Sequence, residues 1–318
     1  MIGLLFAPVG PLLDRAAAAE PGKPQVPGPD ELLGDRPARR KEVHPLLLDP
    51  LAGRPDLDYL RQRRRWLARR PADLAAFEEV ARDFEERGAF FPAIEILWFA
   101  EKIAQEPERR RRCLDWMERL NKRAAEIEAR VETAMQLWGA GRQHDGLDQL
   151  KAIIKQFPFC EKAHFRMGML YIGMYRENKM LAEKGSPPEI RASLFGVCYP
   201  HFVYTTVIDP LYFDAYKQLS RLRELMTDDH EFLKQSQFLT ERAADFQTLL
   251  GPHLMKLDEG DRSPRTLLAA GEGFEAIELY AYAVLAYQSA LAQPDADEEL
   301  KTRLRRAIEV VRAKHLNE

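Results

Sequence analysis

The sequence predicts an all-α protein, an α-solenoid of helical hairpins behind an extended proline-rich arm, and three observations carry that prediction. From about residue 56 onward apolar side chains recur every three or four residues, with short Gly, Pro or Asp punctuation between the stretches. Alternating β-branched runs, which would mark half-buried strands, are nearly absent. Ten of the 21 prolines fall within residues 1–55, so the chain divides into an arm, 1–55, and a helical domain, 56–318. At 318 residues and 46% hydrophobic, the chain is long enough to bury a sizeable core. Lys+Arg number 47 against 50 Asp+Glu, a balance that argues against a protein coating nucleic acid over its whole surface. Three cysteines, Cys113, Cys160 and Cys198, exclude a disulfide-dense secreted scaffold. No apolar run approaches the roughly 18 residues of a transmembrane helix.

The arm comes first. Residues 16–37 hold Pro21, Pro24, Pro27, Pro29 and Pro37 among few large apolar side chains. Proline fixes its backbone angle and lacks an amide hydrogen, so this stretch is expected to stay extended or disordered. Ahead of it, MIGLLFAPVGPLL is apolar, but Pro8 and Pro11 interrupt it and no basic residue opens it. It reads as an unstructured start, as a docking or membrane-surface peptide, or as an atypical secretory signal. The cytoplasm is the expected compartment, with the periplasm or export as the alternative if residues 1–19 act as a signal.

Next comes YLRQRRRWLARR, residues 59–70, in which Leu60 and Leu67 lie seven apart and share one helical face. It carries Arg61, Arg63, Arg64, Arg65, Arg69 and Arg70, and a second run, Arg109, Arg110, Arg111 and Arg112, follows Pro107-Glu108. The favoured expectation for both is a solvated helix face. The alternative is a basic patch that meets nucleic-acid phosphates or an anionic surface.

Residues 74–107 have the pattern of a helical hairpin. Phe77, Val80, Ala81 and Phe84 follow helical spacing, Gly88 breaks it, and Ala93, Ile94, Leu97 and Ala100 form a second face before Pro107. Small residues at 81, 93 and 100 let two helices approach while the large ones fill the gaps. This order of residues resembles the tetratricopeptide repeat family. A second unit follows at 127–158 with Ala134, Leu137, Gly141, Leu150 and Pro158. A third begins at His164, Met167, Gly168 and Tyr171, is interrupted by KGSPPE (184–189), and resumes at Cys198, Phe202 and Thr205 up to Pro210. Degenerate units continue from Tyr216 and at Ala283, Tyr287, Ala290 and Leu291. The resemblance implies stacked helical hairpins and says nothing of chemistry.

One departure from the family is the period. Pro107, Pro158 and Pro210 are 51 and 52 residues apart, against roughly 34 for the family. Residues 113–138 explain the excess, because Cys113, Met117, Leu120, Ala124, Ile127, Val131, Ala134 and Trp138 alternate four and three without a slip. That heptad seam predicts one long helix packed on a neighbour in the same chain, or, as the alternative, a homo-oligomer formed through it. The chain closes on 295–315, where Leu300, Leu304, Ala307, Ile308 and Val311 make one apolar stripe, as a capping helix requires.

The search for chemistry yields little. No phosphate-binding loop, nucleophile elbow or paired-cysteine zinc framework is present. Gly271-Glu272-Gly273 has the start of a dinucleotide fingerprint, but a helix rather than a strand precedes it. Cys160 with His164 and Cys198 with His201 have spacings a metal or a nucleophile–base pair could use, and buried free cysteines in packing slots are the simpler reading. The expectation is therefore a scaffold or adaptor with no catalytic residues, no metal and no cofactor, binding a protein or peptide partner. Tyrosine combines a large contact area with a polar tip, so Tyr175, Tyr199, Tyr204 and Tyr212, with Arg166, are the candidate contact residues on a concave face.

Overall fold

The computed structural model describes residues 44–47, 50–70, 73–177, 188–226 and 229–316, and among these every regular element is helical. Residues 1–43 of the proline-rich arm and residues 184–187 of the insertion lie outside the described residues. A 3₁₀ turn at Pro45–Leu47 leads into α1 (Pro55–Ala68), α2 (Leu74–Glu86), α3 (Phe90–Ile103), α4 (Pro107–Gly139) and α5 (Gln143–Gln156). Then come α6 (Glu161–Glu177), α7 (Pro188–Ile208), α8 (Phe213–Glu224), α9 (His230–Gln235), α10 (Gln237–Asp245) and, after a π turn at Phe246–Leu250, α11 (Gly251–Asp258). The chain finishes with α12 (Pro264–Ala276), α13 (Tyr280–Leu291), α14 (Glu298–Val311) and a last π turn, Arg312–Leu316. None of these helices is long and apolar enough to cross a membrane.

Local signals place the boundaries. Asp73, Ser263 and Asp297 cap the first turns of α2, α12 and α14 with their side-chain oxygens. The turn inside the first hairpin is a Schellman motif. Gly88 adopts φ +73°, while the amides of Ala89 and Gly88 donate to the carbonyls of Phe84 and Glu85. Gly141 ends α4 in the same way, with φ +80° and the amide of Arg142 on the carbonyl of Leu137. The hairpin predicted at 74–107 is thus present as α2 and α3, with Phe77, Val80, Ala81, Phe84, Ala93, Leu97 and Ala100 all in the core.

Successive helices pack pairwise from α2 through α5, then α6 on α7 and α12 on α13. A second set of contacts runs across the sequence. The α13 helix packs on α1 and α3, and α7 also packs on α1. In a linear repeat array each unit meets only its neighbours, whereas here the last hairpin returns to the first helices. The side-chain amide of Gln288 donates to the carbonyl of Arg70 at 2.6 Å, a pair 218 positions apart in sequence. Arg312 Nε donates to the carbonyl of Ala68 at 2.7 Å, so the end of the chain caps α1, the helix that joins the two halves. The segment before α1 is held as well. Leu47 is buried and Tyr204 donates its hydroxyl to the carbonyl of Pro50 at 2.8 Å, so the helical body begins before residue 56.

The predicted long helix is α4, of 33 residues. Its seam, Cys113, Met117, Leu120, Ala124, Ile127, Val131 and Ala134, is buried inside the chain, where α3, α5 and α6 pack on α4. This corrects the oligomer alternative, because the apolar face a second copy would need is already occupied. The C-terminal stripe is likewise buried at Leu304, Ile308 and Val311.

The apparent fingerprint at 271–273 is a packing feature. A Cβ on Gly271 would stand 2.1 Å from the ring of Tyr287, which is 1% exposed, and a Cβ on Gly273 would stand 2.9 Å from the backbone of Leu250. Gly271→Ala is therefore expected to overpack the α12–α13 contact by about 3 kcal/mol, from which the better helix propensity of alanine recovers about 1 kcal/mol. Equilibrium urea unfolding should show a net loss near 2 kcal/mol, and an unchanged midpoint would contradict the close approach.

Candidate functional site

At the junction where α1, α7, α8, α10 and the last hairpin meet, the structure leaves a cavity of about 120 Å³. Helix α1 contributes Arg61, Arg64 and Arg65, and α10 contributes Arg242. The α12–α13 corner adds Glu278, Tyr280 and Tyr282, and the final turn adds His315 and Leu316. Val203, Leu219, Phe238 and Leu279 make much of the remaining wall apolar. Four arginine residues and one acidic residue thus line this space.

Arg64 is the deepest of the four, 3% exposed. Its Nη1 donates to the carbonyl of Val207 at 2.6 Å, and its Nη2 donates to the carbonyl of Ile208 and to Glu95 Oε2, both at 2.8 Å. These two carbonyls end α7, where a helix leaves acceptors unpaired and the dipole favours a cation. Burial pushes the Glu95 carboxyl up to about 8, with the neighbouring Asp209 adding to the rise and Arg64 opposing it. Arg242 pairs with Glu278 at 2.5 Å. Arg65 is half-buried, and no described side chain pairs with it.

Glu278 has a second peculiarity. It sits at the same Schellman position as Gly88, with the amides of Leu279 and Glu278 donating to the carbonyls of Phe274 and Glu275, yet it is not glycine. Its φ is +63°, the left-handed region that costs a non-glycine residue of order 1 kcal/mol or more. Strain at one wall of a cavity is where a functional constraint is expected to show. Beside it, Tyr282 is 2% exposed, stands under the Arg64 guanidinium at 5.5 Å from its ring centre, and has a buried hydroxyl without a hydrogen-bond partner.

The residues singled out from sequence distribute unevenly. Tyr199, expected on a surface, is corrected to a buried position, 3% exposed and stacked on Phe195 at 4.8 Å, with one side on the cavity. Tyr204 lies half-buried under Arg54 and bonds Pro50. Tyr212 is half-buried against Phe165, and burial raises its phenol above the usual value. Tyr175 shares a hydrogen bond with Ser193 at 3.0 Å, and Arg166 pairs with Glu132 at 3.3 Å. Only Tyr199 of these five borders the cavity. For the arginine runs, the solvated face is corrected at Arg64, which is interior. Arg63 pairs with Glu79 and Asp83. Arg69 and Arg70 are exposed, the latter over Trp66. In the second run, Arg109 pairs with Glu106 and Arg110 with Glu101, while Arg111 and Arg112 are exposed.

The Cys/His pairs are core groups. All three thiols are free and buried, and burial pushes Cys113 up to about 11 and Cys198 to about 12, away from the thiolate. His164 and His201 face each other, Nδ1 to Nδ1 at 3.3 Å, and His164 Nε2 lies 3.0 Å from the carbonyl of Pro158. A carbonyl only accepts, so His164 carries its proton on Nε2 and accepts from His201 through Nδ1. Burial holds the two imidazoles neutral, lowering His164 to about 3 and His201 to about 4. Among the described residues no three His, Cys, Asp or Glu side chains converge as metal ligands.

No family model matches the chain, and no curated protein or solved structure matches it. The tetratricopeptide resemblance therefore rests on the residue pattern alone.

Proposed function

We propose that this chain is a non-catalytic interaction protein, a tetratricopeptide-like solenoid of helical hairpins drawn into contact end to start, which holds a protein or peptide partner. The observation that carries this reading is the arginine- and tyrosine-lined cavity, where a strained Glu278 and a hydroxyl left unbonded at Tyr282 meet at the joint between the two halves. Arginine and tyrosine are among the residues that most often anchor a partner, tyrosine through wide contact with few rotors and arginine through directed donors. Three free, buried thiols support a reducing compartment, and we place the protein in the cytoplasm.

Affinity capture of the full chain from its source cells, run beside the Arg65→Gln variant, tests this. A specific protein enriched on the wild type and lost on the variant is the expected result. Identical captures from both would remove the cavity from the binding face, and capture of nothing would remove the function.

A further inference from the structure

We propose that the cavity is a binding site for a carboxylate carried on a small apolar group, about the size of a leucine side chain. This rests on reading the cavity as the centre of the interaction face, and it names the chemistry that enters it.

The size sets the first limit. An interior of about 120 Å³ is smaller than the roughly 150 Å³ that holds one benzene ring, so an apolar body of about four carbons fits. The wall sets the second, since Val203, Leu219, Phe238 and Leu316 present carbon rather than donors. A fully polar anion would lose its hydration there without replacement, whereas an apolar body gains from leaving water. The charge sets the third. Arg61, Arg64, Arg65 and Arg242 line the space; Arg64 is held by Glu95 and Arg242 by Glu278, which leaves Arg65 as the guanidinium open to an incoming acid. A guanidinium binds a carboxylate through two parallel N–H donors, a planar match.

Two features lack any account within the fold itself. The Tyr282 hydroxyl is a buried donor with no acceptor, although a buried polar group is ordinarily satisfied and leaving one unpaired is unfavourable. A carboxylate oxygen in the cavity it lines supplies that acceptor. Glu278 holds a left-handed backbone conformation that glycine fills at the equivalent turns after α2 and α4. Its carboxylate occupies Arg242, and so acts as the internal anion that keeps this guanidinium placed until a ligand arrives.

Such an acid has two sources, a free small carboxylic acid and the C-terminal residue of a peptide, and the test separates them. The full chain is titrated by isothermal calorimetry with 4-methylpentanoate, its amide 4-methylpentanamide, inorganic phosphate, and a hexapeptide ending in leucine as free acid and as C-terminal amide. The expected result is binding by the free acid, the peptide acid or both, and at least tenfold weaker binding by the matching amide and by phosphate. Binding by 4-methylpentanoate assigns the small-molecule source, and binding by the peptide acid alone assigns the chain terminus. Tyr282→Phe removes one oxygen that bonds nothing in the free protein, so its Tm should hold or rise while affinity falls roughly tenfold, the usual effect of losing a hydrogen bond to a charged group. Arg65→Gln should weaken binding similarly. Glu278→Gly removes the competing carboxylate and the strain, and should tighten binding severalfold.

Acid and amide binding alike, phosphate binding as well as the acid, no binding by any probe, or an unchanged affinity in Tyr282→Phe would each overturn the proposal. Partner capture that depends on Arg65 in the absence of acid binding would overturn this chemistry and leave the interaction function standing. Acid binding without any captured partner would do the reverse.

Discussion

Replacing Arg64 with methionine is expected to destabilise the fold by about 3–5 kcal/mol, because three buried acceptors lose their donor at about 1–3 kcal/mol apiece. Methionine matches much of the aliphatic stem, so packing is not the main loss. What disappears is the set of donors that serve Glu95 Oε2 and the terminal carbonyls of α7 at Val207 and Ile208. These acceptors remain in the interior with no water to replace the guanidinium. Combining Arg64→Met with Glu95→Leu should recover part of the loss, because an apolar pair no longer leaves a carboxyl stranded, and the two substitutions should be far from additive. Urea unfolding of the two single variants and the double supplies the cycle. A loss under 1 kcal/mol in Arg64→Met would show that the arginine is dispensable to the joint and would return it to the solvated face that the sequence suggests.

That contrast shows what in the fold was legible. Helical period, turn glycines and the small–large order at 77–100 are local signals, and each acts within a few residues of where it is read. They place α2, α3 and the seam of α4 correctly, because side chains every three or four residues face one neighbour whichever neighbour it is. The return of α13 to α1 has no such signal. It depends on Gln288 reaching Arg70, Gln293 reaching the carbonyl of Lys102 and Arg312 reaching Ala68, polar contacts between segments far apart in sequence. Read locally, six arginines in ten residues look like a surface. The acceptors that make Arg64 interior belong to α7 and α3, more than thirty or more than a hundred positions away.

The site was legible only in its ingredients. Of the tyrosines and arginines that the sequence points to, the cavity takes Tyr199 from one set and Arg61, Arg64 and Arg65 from the other, and leaves Arg166, Tyr175, Tyr204 and Tyr212 in separate contacts. Glu278 and Tyr282 are not among the residues that the sequence points to. For Glu278 a signal existed, since it stands one turn after Phe274 where the first hairpin has Gly88 after Phe84, and a glutamate at a glycine position is a departure that can be looked for. For Tyr282 none did, because an unpaired hydroxyl is a property of its surroundings.

The buried acids make a second strong prediction, in pH. Around the end of α7, Glu95, Glu161 and Asp209 are buried, and one oxygen of each acid has no hydrogen-bond partner among the described residues. Burial raises all three carboxyls above their ordinary values, Glu95 to about 8 and Asp209 to about 6, with Glu161 well above 4.5. A raised acid binds more protons folded than unfolded, so its contribution is complete below its unfolded value near 4 and is lost as pH climbs through the folded one. His164 and His201, lowered to about 3 and 4, act oppositely: their contribution is complete above about 6.5 and is lost as pH falls. Between pH 4 and 6 the two histidines offset two of the three acids, so stability falls there with the slope of about one group. From pH 6.5 to 8 the histidines are neutral in both states and only the acids still titrate, so stability must fall with rising pH by an amount on the order of 2 kcal/mol for Glu95 alone, at about 1.4 kcal/mol per unit. Glu95→Gln keeps an acceptor for Arg64 and removes the titration, and should flatten that slope while leaving the part due to Glu161. Urea midpoints measured at half-unit steps from pH 5 to 8.5 decide it. A wild-type stability that rises from 6.5 to 8, or a Glu95→Gln variant with an unchanged slope, would mean that Glu95 is ionised in the folded core, held so by Arg64.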